Sequence, residues 1–214
     1  MSLICGIEEA GRGPVIGPMV MAGITIKEKD IHKLDHIKES KLLTPTKRER
    51  LFDEIIKIAE SYEIVILSAK EIDNALNSES LNLNWLEAET TSKIINKLQP
   101  DKTILDCPSN NIKAYHDYVK KNLKKDIKII AEHKADLNYP LVAAASILAK
   151  VTRDAEIEKI KKKHNVDFGS GYPSDPRTIE FLKKSWNKYP IFRKTWSSYK
   201  KIAEKQFQTG LKEF

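Results

Sequence analysis

Apolar positions along the chain fall into two alternating patterns. Short apolar runs read as strands at 3–8, 15–26, 62–69, 102–108 and 126–133, the second interrupted near its start by Gly17-Pro18. Between them lie stretches with apolar residues three and four apart, the mark of helices packed by one face. One begins near Thr44-Pro45, with Thr44 as N-cap, Pro45 at the first helical position, and Leu51, Ile55 and Ile58 on its apolar side. "SAKE", 68–71, has the form of a capping box opening a short helix. A longer helix covers about 83–97, and another presents Tyr115, Tyr118 and Val119 on one face. "NYPLVAAASILAKVTRDAEIEKIKKKH" changes character halfway: its first half is small and apolar on nearly every side, a buried helix, and its second half is amphipathic and basic.

The order of these elements predicts an α/β fold, a mixed sheet covered by helices. A Gly/Pro-rich loop at 164–175 is the one candidate boundary. Beyond it come a helix at about 176–187 and a basic aromatic tail. The expected division is a catalytic domain over 1–165 and a helical C-terminal subdomain over 166–214, too short for a rich core of its own.

Composition changes this picture in one respect. A chain of 214 residues with 41% apolar and 31% charged residues is an ordinary globular protein, but its net charge of +7 favours an anionic partner such as nucleic acid. Two cysteines, Cys5 and Cys107, with no zinc-type spacing, predict buried free thiols. By strand alternation both point away from the face of the sheet that carries Glu8 and Asp106, and on neighbouring strands they would lie close together. With no basic-then-apolar leader and no membrane-length apolar run, the expectation is a cytoplasmic protein, monomeric and without membrane contact.

Candidate chemistry concentrates in four acids. Glu8 and Glu9 end the first strand, Asp106 ends a later one, and Asp136 precedes the buried helix. Strand ends of α/β sheets converge on one edge, so these acids are placed to meet. Clustered carboxylates raise one another's pKa unless a cation neutralises them, and oxygen donors suit Mg²⁺ and similar ions. Each acid alone also fits a solvated strand end, a turn or a helix cap. The "GRGP" turn carries Gly11 and Gly13, which let backbone amides approach a ligand, and Arg12, whose guanidinium suits phosphate. A tight turn with positive φ explains those glycines equally well.

"GIEEAGRGPVIGPMV", "ESKLLT", "LDCPS", "EHKADLNYPLVAAASILAKVTRD" and "GSGYPSDPRT" together resemble, in order and spacing, the motifs of type 2 ribonuclease H, above all its archaeal branch. The resemblance spans about residues 4–200. It implies a ribonuclease H-like five-stranded mixed sheet flanked by helices, with a C-terminal helical segment. It implies hydrolysis of the RNA strand of RNA–DNA hybrids, and of single ribonucleotides embedded in duplex DNA, on their 5′ side, leaving 3′-hydroxyl and 5′-phosphate ends. Mg²⁺ or Mn²⁺, two ions per site, would be held by Glu8, Glu9, Asp106 and Asp136 as catalytic carboxylates. Gly11, Arg12 and Gly13 would read the 2′-hydroxyl through their backbone, with Tyr172 stacking on the adjacent sugar. Lys41, Ser146 and Lys150 match positions near substrate phosphates, though surface charge and helix packing explain them too. Trp196 fits the pattern either as a packing residue or as a nucleic-acid contact.

At one position the chain departs from the family. Where the family pattern has Asp-Glu before Ala-Gly-Arg-Gly, this chain has Glu-Glu, so Glu8 stands in the place of an aspartate expected to touch both metals. The extra methylene adds roughly 1.5 Å of reach. Reduced or metal-shifted activity is expected, and an attenuated RNA–DNA junction-binding module of the same fold is the alternative.

Overall fold

A computed structural model describes residues 2–37 and 44–210. Its sheet has five strands, β1 (Leu3–Ala10), β2 (Met19–Lys27), β3 (Ser61–Leu67), β4 (Lys102–Asp106) and β5 (Lys128–Glu132), in the order β3-β2-β1-β4-β5. β1 pairs antiparallel with β2 and parallel with β4, so the sheet is mixed and β1 lies at its centre. The helices are α1 (Pro45–Ile58), α2 (Ala69–Leu76), α3 (Leu83–Leu98), α4 (Ile112–Lys121), α5 (Ala135–Asn138), α6 (Pro140–His164), α7 (Pro176–Ser185) and α8 (Ser197–Gly210), with a 3-10 helix at Glu28–Ile37.

Strand alternation divides the core between the two faces. Ile4 on β1, Val20, Ala22, Ile24 and Ile26 on β2, and Ile104 on β4 pack against the apolar half of α6, from Leu141 to Ala149. Gly6 lets this helix sit close to β1, because a Cβ there would run into the Leu141 carbonyl. The opposite parity, Cys5, Ile7, Met19, Met21 and Leu105, packs against Ile72 of α2, Leu86, Ile94 and Ile95 of α3 and Tyr115 and Val119 of α4. A third cluster joins Phe168, Leu182, Ile191, Phe192 and Tyr199 of the C-terminal segment to Ile157 of α6 and to Val15 and Ile16.

That cluster corrects the predicted second strand. β2 begins at Met19, since Gly17 takes φ +86° and turns the chain. Val15 and Ile16 instead face the C-terminal segment, where Ile16 bridges Phe192. Other boundaries move by a residue or two: β3 ends at Leu67 because Ser68 caps α2, with the reciprocal capping bonds to Glu71 both formed. Thr44 occupies the N-cap position of α1 without a side-chain capping bond. Tyr118 lies half-buried, stacked on Trp85 at 4.6 Å between ring centroids.

Both cysteines are buried free thiols in the α3–α4 layer. They do not lie close together. β1 and β4 are neighbours, but Cys5 pairs with Thr103, four residues before Cys107, a separation of roughly 13 Å along the strand.

Candidate active site

The carboxyl ends of β1 and β4 lie side by side. Ile7 pairs with Leu105, so Glu8 and Asp106 follow at the same level and with the same parity, toward α5 and α6. Asp106 Oδ1 accepts the Ala135 amide at 3.2 Å, and this bond starts α5. Asp136 therefore sits inside a short helix of its own rather than as a cap on the long one, and it is buried. Glu9 has the opposite parity and feels both Asp106 and Arg12.

The electrostatics of these acids are unfavourable as they stand. Burial raises the Glu8 carboxyl well above the usual range, and the neighbouring Glu9 and Asp106 raise it further. Glu9 is raised by burial and then by Asp106, and Asp106 by burial and then by Asp136. An oxygen-only set of four mutually repelling carboxylates has the chemistry that suits a hard divalent cation. Geometry is less complete: among the described residues, no three His, Cys, Asp or Glu side chains are arranged to hold a metal ion. Glu8 shows why. Its Oε2 folds back to accept the Glu9 amide at 2.9 Å, a reach the extra methylene makes easy.

A groove of about 1240 Å³ opens beside the acids, lined by Glu8, Glu9, Gly11, Arg12, Gly13, Asp136, Ser146, Lys150, Arg153 and Tyr172 among others. Ser146 and Lys150 lie on α6 facing it, Ser146 half-buried and Lys150 exposed. Tyr172, on the loop between α6 and α7, is held from below by the Arg153 guanidinium, 5.2 Å from its ring centroid. Asp106 does not line the groove. Lys41 lies outside the described residues.

The GRG turn is held more tightly than the acids. Gly11 has φ +82°, and a Cβ on it would collide with the Arg153 side chain. The Arg12 side chain does not reach for phosphate, as its sequence suggested: Nε donates to Glu87 at 2.9 and 3.2 Å, and Nη2 donates to Asn84 at 2.7 Å, both on α3. Glu87 is fully buried, and burial with the Glu9 charge pushes its carboxyl up to about 8, against the pull of Arg12. On the far side Arg193 donates to the carbonyls of Gly11, Arg12 and Gly17, while Trp196 Nε1 donates to Gly13 at 3.1 Å. Asp73 of α2 anchors that segment, accepting from the amides of Lys194 and Thr195.

Asn84, Glu87, Asp73, Arg153 and Arg193 had no place among the sequence-derived candidates. Glu87 carried a readable signal: it lies at helical spacing with Leu83, Thr90 and Ile94, an acid on a stripe that packs inward. Nothing in a single sequence marks Arg193, whose partners lie some 180 residues away.

A ribonuclease HII family model matches residues 5–199. The chain belongs to the ribonuclease HII family. It is 48% identical to the ribonuclease HII of Pyrococcus furiosus over 209 residues, covering 94% of this chain and 91% of that protein. The crystal structure of ribonuclease H2 from Pyrococcus horikoshii superposes with a TM-score of 0.86 at 44% identity, over 95% of this chain and 98% of that one. Ribonuclease HII of Archaeoglobus fulgidus, solved in a complex with PCNA, gives a TM-score of 0.82 at 40% identity, over 91% and 95% of the two chains. As a ribonuclease HII the protein is a metal-dependent endoribonuclease acting on the RNA of RNA–DNA hybrids, and the mixed five-stranded sheet is that of its family.

Proposed function

We propose that the enzyme cuts both RNA–DNA hybrids and duplex DNA carrying a single embedded ribonucleotide, 5′ of the ribonucleotide, leaving 3′-hydroxyl and 5′-phosphate ends. The observation that carries this reading is the sharing of one groove by Glu8, Glu9 and Asp136, the GRG turn and Tyr172. A cleavage centre and a sugar-reading loop on one groove suit a junction nuclease.

Glu8, Glu9, Asp106 and Asp136 would hold two Mg²⁺ or Mn²⁺ ions. Such ions activate a water and neutralise the leaving oxygen of a phosphodiester. Glu8 would hold an ion through the oxygen that the Glu9 amide leaves free, or by giving up that amide. The backbone of Gly11, Arg12 and Gly13 would read the 2′-hydroxyl, the one group that separates ribose from deoxyribose. Tyr172 would stack on the adjacent deoxyribose, kept flat by Arg153. Ser146 and Lys150 on the α6 wall would position phosphates, with Lys41 as a further phosphate contact.

A second reading is supported by the Glu8 contact. A carboxylate with one oxygen turned to the Glu9 amide, one methylene longer than the family's aspartate, is poorly shaped for Mg²⁺, which demands near-ideal octahedral geometry. On that reading the protein binds junctions and cuts them slowly. Association with PCNA is extended to this chain on its likeness to the Archaeoglobus protein, and a cytoplasmic monomer remains the working state. Among the described residues, no helix is long and apolar enough to cross a membrane.

One assay separates the readings: a labelled duplex with one ribonucleotide, its all-DNA twin and a full hybrid, each with Mg²⁺ and then Mn²⁺. The proposal expects cutting of the first and third substrates only. Equal cutting of the all-DNA twin would remove the 2′-hydroxyl claim, and tight binding without cutting in either metal would favour the binding module.

A further inference from the structure

The backbone of the GRG turn is fixed by a buried charged side chain from the other end of the chain. Arg193 has no exposed surface. Its Nη2 donates to Gly11 O at 2.7 Å, Nη1 to Arg12 O at 2.9 Å and Nε to Gly17 O at 2.9 Å. The guanidinium also lies over the Trp196 ring, 4.8 Å from its centroid, and the Trp196 indole N–H takes the Gly13 carbonyl. Burying a guanidinium is expensive unless its donors are used. Here one planar fork engages three carbonyls that no lysine ammonium would satisfy together.

The consequence for the groove follows from peptide geometry. In a trans peptide the carbonyl and the next N–H point in opposite directions. Carbonyls of Gly11 and Arg12 turned inward therefore turn the amides of Arg12 and Gly13 outward. Pro14 follows and has no N–H, so the surface is two amides wide. Among the described residues neither amide donates to a protein group.

We propose that Arg193 is a positioning residue for sugar recognition, holding the carbonyls of Gly11, Arg12 and Gly17 inward so that the amides of Arg12 and Gly13 face the ribose 2′-hydroxyl. This rests on the reading of the GRG turn as the sugar reader. Trp196 completes the brace at Gly13. Asp73, by holding the amides of Lys194 and Thr195, fixes the segment from which both side chains project.

The test compares the full chain with its Arg193→Lys and Trp196→Phe variants. The probes are a fluorescein-labelled duplex with one ribonucleotide and its all-DNA twin, titrated in Ca²⁺, with a thermal melt of each protein alongside. The quantity read is the ratio of the two dissociation constants. In Arg193→Lys it is expected to fall about tenfold, through weaker binding of the ribonucleotide duplex alone, and in Trp196→Phe about threefold. A lower melting temperature with an unchanged ratio would make Arg193 purely structural and overturn the proposal. Should Arg193→Lys fail to fold, Trp196→Phe decides: a ratio equal to the parent's overturns the brace. A parent ratio near one is a different result, because it removes the sugar-reading assignment itself.

Discussion

The two halves of the groove are built on opposite principles. At the acid end, Glu8, Glu9 and Asp106 are all raised first by burial and then by a neighbouring acid, Glu9 and Asp106 acting on Glu8, Asp106 on Glu9 and Asp136 on Asp106, and among the described residues no three acids are arranged to hold an ion. At the GRG end, three carbonyls of the turn and Gly17 are taken by Arg193 and Trp196, and the Arg12 side chain is spent on Glu87 and Asn84. One half gathers carboxylates that burial and neighbouring charge push up, and the other is tied by hydrogen bonds from Arg193, Trp196, Glu87 and Asn84.

The largest effect that would break this contrast is the loss of an acid. Asp106→Asn keeps the shape, and its Oδ1 still accepts the Ala135 amide, but it removes one repelling charge and, on the proposed function, one metal donor. Cleavage in Mg²⁺ should fall on the order of a thousandfold, about 4 kcal/mol of barrier. The melting temperature of the metal-free protein should hold or rise, since a source of repulsion is gone. A marked fall in melting temperature with activity retained would mean that Asp106 is structural.

Glu8→Asp tests the same end in the other direction. Shortening the side chain removes its easy return to the Glu9 amide and brings the carboxylate back toward β1. A gain of about ten- to a hundredfold in the Mg²⁺-dependent rate is expected, with a smaller gain in Mn²⁺. Equal rates for parent and variant in both metals would show that the extra methylene costs nothing.

On the rigid side, the two glycines of the turn should separate sharply. Gly11→Ala puts a Cβ at φ +82° against Arg153, and should cost roughly 2 kcal/mol or more in denaturant unfolding. Gly13→Ala places its Cβ 3.6 Å from Tyr172, an ordinary contact, and should stay within about 0.5 kcal/mol. Similar costs at both positions would mean that the turn is less constrained than its hydrogen bonds suggest.

The halves also differ in how far the sequence reveals them. Strands, the buried half of α6 and the acids at strand ends are legible because periodicity and element ends are local properties. The parity of Glu8 and Asp106 adds that they share a face. Register is not local, so the sequence could not show that Cys107 lies four residues beyond the partner of Cys5. Nor could it show that Val15 and Ile16 serve the C-terminal cluster, since that depends on a turn at Gly17 and a bridge to Phe192. The brace on the GRG turn is the least legible part. Arg193, Asp73 and Glu87 act through hydrogen bonds across 75 to 182 residues, and a lone arginine in "FRKTW" looks like any basic tail residue.

Glu87 joins the two halves, because its carboxylate binds Arg12 while its pKa responds to Glu9. This gives the finest probe of the boundary. In the folded protein its pKa lies at about 8, above the 4.5 of an unperturbed glutamate. Between those values the native state keeps a proton that the unfolded chain has released. The unfolded chain thus binds fewer protons, and stability falls as pH rises through this window. One group contributes at most about 1.4 kcal/mol per pH unit. Glu87→Gln removes that dependence, so the gap between variant and metal-free parent should widen in the variant's favour from pH 5 to pH 8.5. Adding Mg²⁺ or Mn²⁺ should lessen the parent's loss, because a cation near Glu9 cancels the charge that raises Glu87. Parallel melting curves across the whole range would place Glu87 with the rigid half alone, insulated from the acids.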